Sequence, residues 1–424
     1  MTHLTLLEPQ RILRRALDRQ FKAHQAKWTV RPSTTLRQAR GGGSGRTVRA
    51  GKARAAGFLA VLLIHSTGFL TSFCRKPPNA RGLQSVAIGI SSAEQVTPQA
   101  KSDILTVAAV GDVMMGGSAL EVIRQNGADY PFDSTRAVLQ SADFAVANLE
   151  APFGTDGRPF PKEFTFRVPP EYSSGLLNAG FDVLNLANNH ILDFGPSPFA
   201  ATLRLLDSLG IAVCGAGMNL DSAESATVVV RNGWRTAFFG FSLTYPESFW
   251  ASSEKPGTAF AVRERLTRRI ADARSRCDLV IVSFHWGKEL HAFPEPYQRE
   301  FARAAIDAGA DLVLGHHPHV PQGVELYRGK PIAYSLGNFV FGSRSALCRE
   351  GILFVARFDS AGFAGAEAVP LCVDFAKVRF QPRVLMGADR ENAIRSLNRI
   401  SKPLNGGREI LTSSGEMKRR GNTD

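Results

Sequence analysis

Cysteine is scarce and dispersed, with five residues in 424 (Cys74, Cys214, Cys277, Cys348, Cys372) and no C-x-x-C pair. Neither a zinc ribbon nor a dense disulfide framework organises such a chain. Most of the five read as small buried apolar side chains, and the one pairing left open in an oxidising compartment is Cys348 with Cys372. The body also lacks a G-x-x-x-x-G-K-[ST] phosphate loop, which excludes nucleotide activation by that device. Positive charge is sparse outside one region. Residues 1–54 hold thirteen Lys and Arg against Glu8 and Asp18, so they carry +11 of the formal +13 and leave about +2 for the rest. A basic arm therefore precedes a near-neutral body. No nucleic-acid partner is implied, since no aromatic stacking platform accompanies the arm. At 44% hydrophobic and 21% charged residues, wholesale disorder is excluded.

Only one charge-free stretch is long. Residues 55–74, AAGFLAVLLIHSTGFLTSFC, span 20 positions, about what a helix needs to cross the hydrocarbon core. Basic residues dominate upstream, while Arg75, Lys76 and Arg81 are few downstream, so the positive-inside rule places the arm in the cytoplasm and the body outside. The expected location is the cell membrane, single-pass, with an extracytoplasmic body. A cleaved signal peptide is the rival reading, but no small-x-small site follows closely. In the arm, Ile12, Leu13, Ala16, Leu17 and Phe21 share one helical face among basic residues, suited to an anionic membrane surface; a disordered arm is the alternative. The expected organisation is a largely disordered basic arm (1–54), a signal anchor (55–74), a linker (75–102), a domain (103–385), and a terminal helix with a polar tail (386–424).

Within the domain, short apolar runs alternate with amphipathic stretches, as in an α/β fold. Strands are expected at 104–110, 143–149, 181–187, 278–284 and 311–315, with helices at 197–209, 262–276 and 296–308. A second set of runs (226–230, 236–242, 331–336, 351–358, 368–375) has less helix between its members and suggests a more antiparallel sheet. Two stacked sheets with helices outside fit this pattern.

Ligands of open α/β sheets bind beyond the carboxyl ends of strands, and here each such end of the first set carries a ligand-type side chain. Asp112 follows the first, Glu150 the second, Asn189 and His190 the third, His285 the fourth, and His317 and His319 the fifth. A lone histidine at a strand end is more often a satisfied polar residue than a ligand, but several coincident ends converge on one place. On extended backbone, alternate side chains point the same way, so H-H-P-H should aim His317 and His319 at one centre and His316 away from it. A mixed set of carboxylate, imidazole and amide suits one or two divalent ions such as Mn, Zn, Fe or Mg. Two acids suggest that one bridges two ions, as in centres that hydrolyse phosphate esters. A histidine outside the ligand set could then protonate a leaving group.

The blocks VGDVMMG (110–116), ANLE (147–150), LANNHILDFG (186–195), FHWGKE (284–289), GHHPHVPQ (315–322) and YSLGNFVF (334–341) resemble the successive blocks of the CapA family of bacterial poly-γ-glutamate capsule synthesis. The domain of that family resembles calcineurin-like metallophosphoesterases, which implies a four-layer α/β/β/α sandwich. The resemblance implies Asp112, Glu150, Asn189, His285, His317 and His319 as metal ligands, with Glu150 in the bridging place. It implies His190 as the residue assisting the leaving group, with Asp112 and Asn189 also in the catalytic set. One departure matters: phosphoesterases carry D-x-H in the first block, and here Asp112-Val113-Met114 offers no imidazole, which puts two-metal catalysis in doubt. Asp193 and Glu289 are read as partners orienting imidazoles, or as ordinary surface acids. Ser335 and Asn338 are read as lining the cleft, or as part of a strand-ending turn. Arg167 and Lys288 are read as meeting an anionic substrate, or as solvated surface residues. The partners implied are an acidic capsular polymer or a phosphate-type substrate, other capsule synthesis membrane subunits, and the membrane through the anchor. The activity implied is that of a metal-dependent hydrolase or transferase, with a non-catalytic polymer-binding scaffold as the alternative.

Overall fold

The computed structural model describes residues 101–419 and the backbone of a two-residue strand at 84–85. The basic arm and the anchor expected at 55–74 lie outside the described residues. Among the described residues no helix is long and apolar enough to cross a membrane.

The chain up to Ser242 contributes β1 (Gln84–Ser85), β2 (Leu105–Val113), β3 (Phe144–Leu149), β4 (Val183–Asn185), β5 (Ala212–Cys214), β6 (Ala216–Gly217), β7 (Thr227–Arg231) and β8 (Trp234–Ser242). The remainder adds β9 (Gly257–Thr258), β10 (Leu279–His285), β11 (Leu312–His316), β12 (Val324–Tyr327) and β13 (Lys330–Ala333). It closes with β14 (Asn338–Val340), β15 (Glu350–Asp359), β16 (Gly362–Cys372), β17 (Arg383–Val384) and β18 (Glu416–Lys418). One sheet runs β17-β16-β15-β2-β3-β4-β5, with β14 beside β2 and β18 beside β16; the other runs β1-β7-β8-β10-β11-β13-β12. Strands β2 to β5 are parallel in the first sheet, as are β8, β10, β11 and β13 in the second.

The two sets of runs do not sort into two sheets. β8, expected with the antiparallel group, lies parallel to β10 over seven residue pairs, and β15 and β16 join the sheet of β2. The segment expected to be a linker supplies β1, paired with Val229 and Val230 of β7. The polar tail returns to β16 through β18, burying Met417.

Burial explains the pattern. Alternate residues of β2, β3, β10 and β11, among them Val107, Val146, Ile281 and Leu314, form one apolar cluster that draws on both sheets. Residues of opposite parity pack against helices: Ala108, Ala145 and Leu184 with Phe199 and Leu206 of helix Pro196–Ser208, and Val280, Val282 and Val313 with Phe301 and Ile306 of helix Pro296–Asp307. Both helices begin with proline, which is pre-shaped for a first turn. In the second, Glu295 and Gln298 also cap each other's backbone N–H groups. Each fully buried Val, Leu, Ile or Phe side chain contributes about 1.5–3 kcal/mol relative to exposure. Cys214, Cys277 and Cys348 are buried and no described cysteine is bridged, so Cys348 and Cys372 stay free.

Candidate metal centre

The carboxyl ends of the parallel strands of both sheets meet in one buried polar cluster. In β2, Val107 and Ala109 face the other sheet, and simple alternation would send Asp112 to the helix side with Ala108 and Val110. The β2–β3 register shifts between Ala109 and Asp112, which sets Asp112 opposite Asn148 and turns it inward. Asn148 is in turn opposite Asn185 of β4. At Gly111, a Cβ would lie 1.8 Å from the carbonyl oxygen of Gly337, which is also the acceptor for the Asp112 N–H at 3.0 Å. Only glycine permits that approach.

Asp112 and Glu150 are fully buried and share Asn148. The Asn148 Nδ2 lies 2.8 Å from Asp112 Oδ1, 3.1 Å from Glu150 Oε2 and 3.2 Å from His285 Nδ1. Its Oδ1 accepts from Asn185 at 3.0 Å and Asn188 at 3.1 Å. Asn188 also accepts from the backbone N–H groups of His190 and Ile191, and so shapes the loop that presents Asn189 and His190. Neither Asn148 nor Asn188 stood out in the sequence, because each reads as a polar neighbour of a more reactive residue.

The second sheet brings imidazoles. His285 ends β10, with Nε2 2.8 Å from Asn189 Oδ1 and 3.6 Å from Glu150 Oε1. The ring centroids of His285 and His317 are 4.7 Å apart, and those of His317 and His319 5.9 Å apart. His317 and His319 converge by a route other than the expected extended alternation. Their φ angles are 95° and 59°, so a left-handed turn around Pro318 aims both rings. Non-glycine residues held there carry of order 1 kcal/mol or more of strain each, a cost that concentrates at functional sites. His316, expected to point away, is fully buried with Nδ1 3.7 Å from Asp112 Oδ1.

His319 Nδ1 lies 2.9 Å from Asn338 Oδ1 and 3.3 Å from Asp112 Oδ2. Burial disfavours its charged form, yet the hydrogen bond to Asp112 and the charges of Glu150 and Asp112 outweigh this and push the imidazole up to about 10. Burial likewise raises Asp112, but the bond to and charge of His319 prevail and hold its carboxyl below the usual range. Burial and the charge of Asp112 lift Glu150 well above the usual range. Burial holds His316 and His317 at about 4, and burial with neighbouring imidazoles holds His285 well below its usual range. Two buried acids with an imidazole between them make a place where electrostatics favours a positive charge.

Two overlapping groups have ligand atoms all within 4.8 Å of one another: Asp112, Glu150 and His285, and Glu150, His317 and His319. Glu150 belongs to both. Its Oε1 and the His317 Nδ1 are buried with no hydrogen-bond partner among the described residues. Such donors in a mixed nitrogen and oxygen set fit divalent cations.

His190 is buried beside this cluster. Its Nδ1 is 2.8 Å from Asp193 Oδ2, so Nδ1 carries the proton and Nε2 is left to exchange one. Asp193 therefore orients His190 and also accepts from the Phe166 N–H. Lys162, absent from the sequence reading, reaches Asp193 Oδ1 at 2.5 Å, the Asn189 carbonyl oxygen at 2.6 Å and His190 Nδ1 at 3.0 Å. Burial, and then the Lys162 charge, hold the His190 imidazole below its usual range. Glu289 is half-buried, and its charge acts on His317 and His319.

Ser335 and Asn338, read as lining the cleft or as part of a strand-ending turn, make internal contacts. The Ser335 hydroxyl donates to the Val320 carbonyl at 2.7 Å and accepts from the Gly337 N–H, bracing a turn. Asn338 is buried and orients His319. Arg167 is spent on the Asp156 carbonyl and the Phe194 ring, and Lys288 is exposed.

Two sheets whose strand ends gather acids, amides and imidazoles define an α/β protein with a candidate divalent-metal centre. The family of the bacterial capsule synthesis protein PGA_cap matches residues 106–343, and this chain belongs to that family. It is 34% identical over 281 residues to the PGA biosynthesis protein CapA of Bacillus subtilis, covering 65% of this chain and 74% of that protein. To the capsule biosynthesis protein CapA of Bacillus anthracis it is 32% identical over 295 residues, covering 67% and 72%. Solved structures are more distant. NAD nucleotidase of Haemophilus influenzae matches with TM-score 0.39 and 12% identity, covering 70% of this chain and 62% of that one. The calcineurin-like phosphoesterase YfkN of Bacillus subtilis matches with TM-score 0.33 and 13% identity, covering 66% and 88%.

Proposed function

We propose that this chain is a divalent-metal-dependent hydrolase or transferase in the synthesis, export or anchoring of an acidic polymer of the poly-γ-glutamate type. The observation that carries the reading is the pair of ligand groups sharing Glu150. The ions would be Mn, Zn, Fe or Mg, held by Asp112, Glu150, Asn189, His285, His317 and His319. Such ions stabilise charge developing on phosphate-type or carbonyl oxygens. His190, fixed through Nδ1 by Asp193, exchanges a proton with the reacting group at Nε2. Lys162 adds positive charge beside that ring and ties the loop of residues 154–168 to the site. The three apolar clusters, one drawing on both sheets and two joining a sheet to helices, support a four-layer α/β/β/α arrangement. The uncharged stretch at 55–74 behind a basic arm supports a single-pass anchor with the body outside the cytoplasm. Capsule synthesis membrane subunits would then be neighbours.

The full-length chain, extracted in detergent and purified without chelator, should contain divalent metal and turn over a generic phosphodiester or a γ-glutamyl polymer. His317→Ala should lose metal; His190→Ala should keep metal and lose turnover. A second reading, a polymer-binding scaffold without turnover, is favoured by Met114 standing where phosphoesterases carry an imidazole. Metal retained with no hydrolysis of either substrate would select it.

A further inference from the structure

We propose that His316 is a metal ligand, supplying at the Asp112 side of the centre the imidazole that the first block lacks; this rests on the metal-centre reading above. Met114, at the position of the missing histidine, is buried in the apolar cluster beneath the helices, so it contributes nothing to the polar site. His316 approaches the same aspartate from the opposite sheet. It is the last residue of β11, paired in register with His285, so two imidazoles stand side by side on neighbouring strands. Leu312 and Leu314, two and four residues earlier on the same strand face, are fully buried in the cluster between the sheets. An apolar side chain is the ordinary occupant of the next position on that face.

Instead there is an imidazole with no solvent exposure, and neither ring nitrogen has a hydrogen-bond partner among the described residues. A neutral imidazole always presents one N–H and one lone pair, so both are left unsatisfied, which is destabilising. The nearest charged group is Asp112, with Oδ1 3.7 Å from His316 Nδ1. Two atoms that each bind one cation at about 2.1 Å lie roughly 3 to 3.7 Å apart, depending on the bond angle. The Asp112 carboxylate is divided accordingly: Oδ1 faces His316, and Oδ2 faces His319 and the His317 N–H. A cation at Asp112 would take up the lone pair of this buried imidazole, and the departure from D-x-H would relocate an imidazole rather than remove one.

The test uses full-length wild type, His316→Leu and His316→Cys, each stripped with chelator and reloaded. Wild type loaded with Mn²⁺ should bind two ions per chain with an exchange-coupled electron paramagnetic resonance signal. His316→Leu should bind one, with the coupling gone and the second affinity weaker by about tenfold or more. Without metal, its thermal unfolding should match or exceed wild type, because a partnerless polar group has been removed. His316→Cys loaded with Co²⁺ should show a thiolate-to-cobalt charge-transfer band that wild type lacks. The assignment is overturned, with the metal-centre reading intact, if His316→Leu keeps both ions at unchanged affinity, or if wild type binds a single ion. It is equally overturned if folded His316→Cys gives no such band. A wild type that binds no ion defeats both.

Discussion

The centre has two halves, and they are built differently. The acid half, from β2, β3 and β4, is tied into a hydrogen-bond network that leaves Glu150 Oε1 open: Asn148 serves Asp112, Glu150 and His285 together, and Asn185 and Asn188 serve Asn148. The imidazole half, from β11 and the turn after it, leaves His316 and one nitrogen of His317 buried without hydrogen-bond partners. The acid half is held mainly by its own hydrogen bonds, while the imidazole half has more buried nitrogens without such bonds. A change in the first should therefore damage the fold and the site together. A change in the second should damage the site and spare the fold.

The largest effect expected from breaking this contrast is that of Asp112→Ala, since Asp112 touches both halves. Metal affinity should fall on the order of a hundredfold or more. The metal-free protein should lose about 3–5 kcal/mol, because the His319 charge is left buried without its partner. Metal analysis after dialysis and denaturant titration check the two parts separately. Asn148→Ala set beside His317→Leu sharpens the comparison. The first should cost about 1–3 kcal/mol in the metal-free protein by stranding its buried partners. The second should leave metal-free stability within about 1 kcal/mol of wild type while lowering metal affinity more than tenfold. Equal loss of stability in both would erase the distinction between the halves. Lys162→Met should retain metal and lower turnover by about ten- to a hundredfold through misplacement of His190, read as kcat against metal content. The smallest change is expected from Arg328→Ala, which breaks an exposed 3.0 Å pair with Asp307; melting should move by less than about 0.5 kcal/mol equivalent and metal not at all.

Much of the site was legible because polar ligand types follow directly on apolar runs, and the ends of parallel strands on one side of a sheet must lie near one another. Asp112, Glu150, Asn189, His285, His317 and His319 are all brought within the one cluster. What stayed hidden depends on geometry without a local signature. Lys162 lies 27 residues before Asn189 and reaches it across a loop. Asn148 reads as one residue of a strand, and its contact with His285 exists only once two sheets have met. His316 was assigned away from the site by alternation, a rule that fails where the next residue turns left-handed. In the fold, strand existence was readable from hydrophobic runs, but sheet membership was not. Nothing local to β8 distinguishes a parallel neighbour in one sheet from an antiparallel neighbour in another, and tertiary packing decides.

The contact between Gly111 and the Gly337 carbonyl leaves no space in which the bottom of the centre could be altered by side-chain exchange. A methyl group there would part β2 from β14 and move Asp112 and Asn338 at once. Side-chain exchange is tolerated instead in the neighbouring segments, as at Phe164 and Phe293, which stand largely open to solvent.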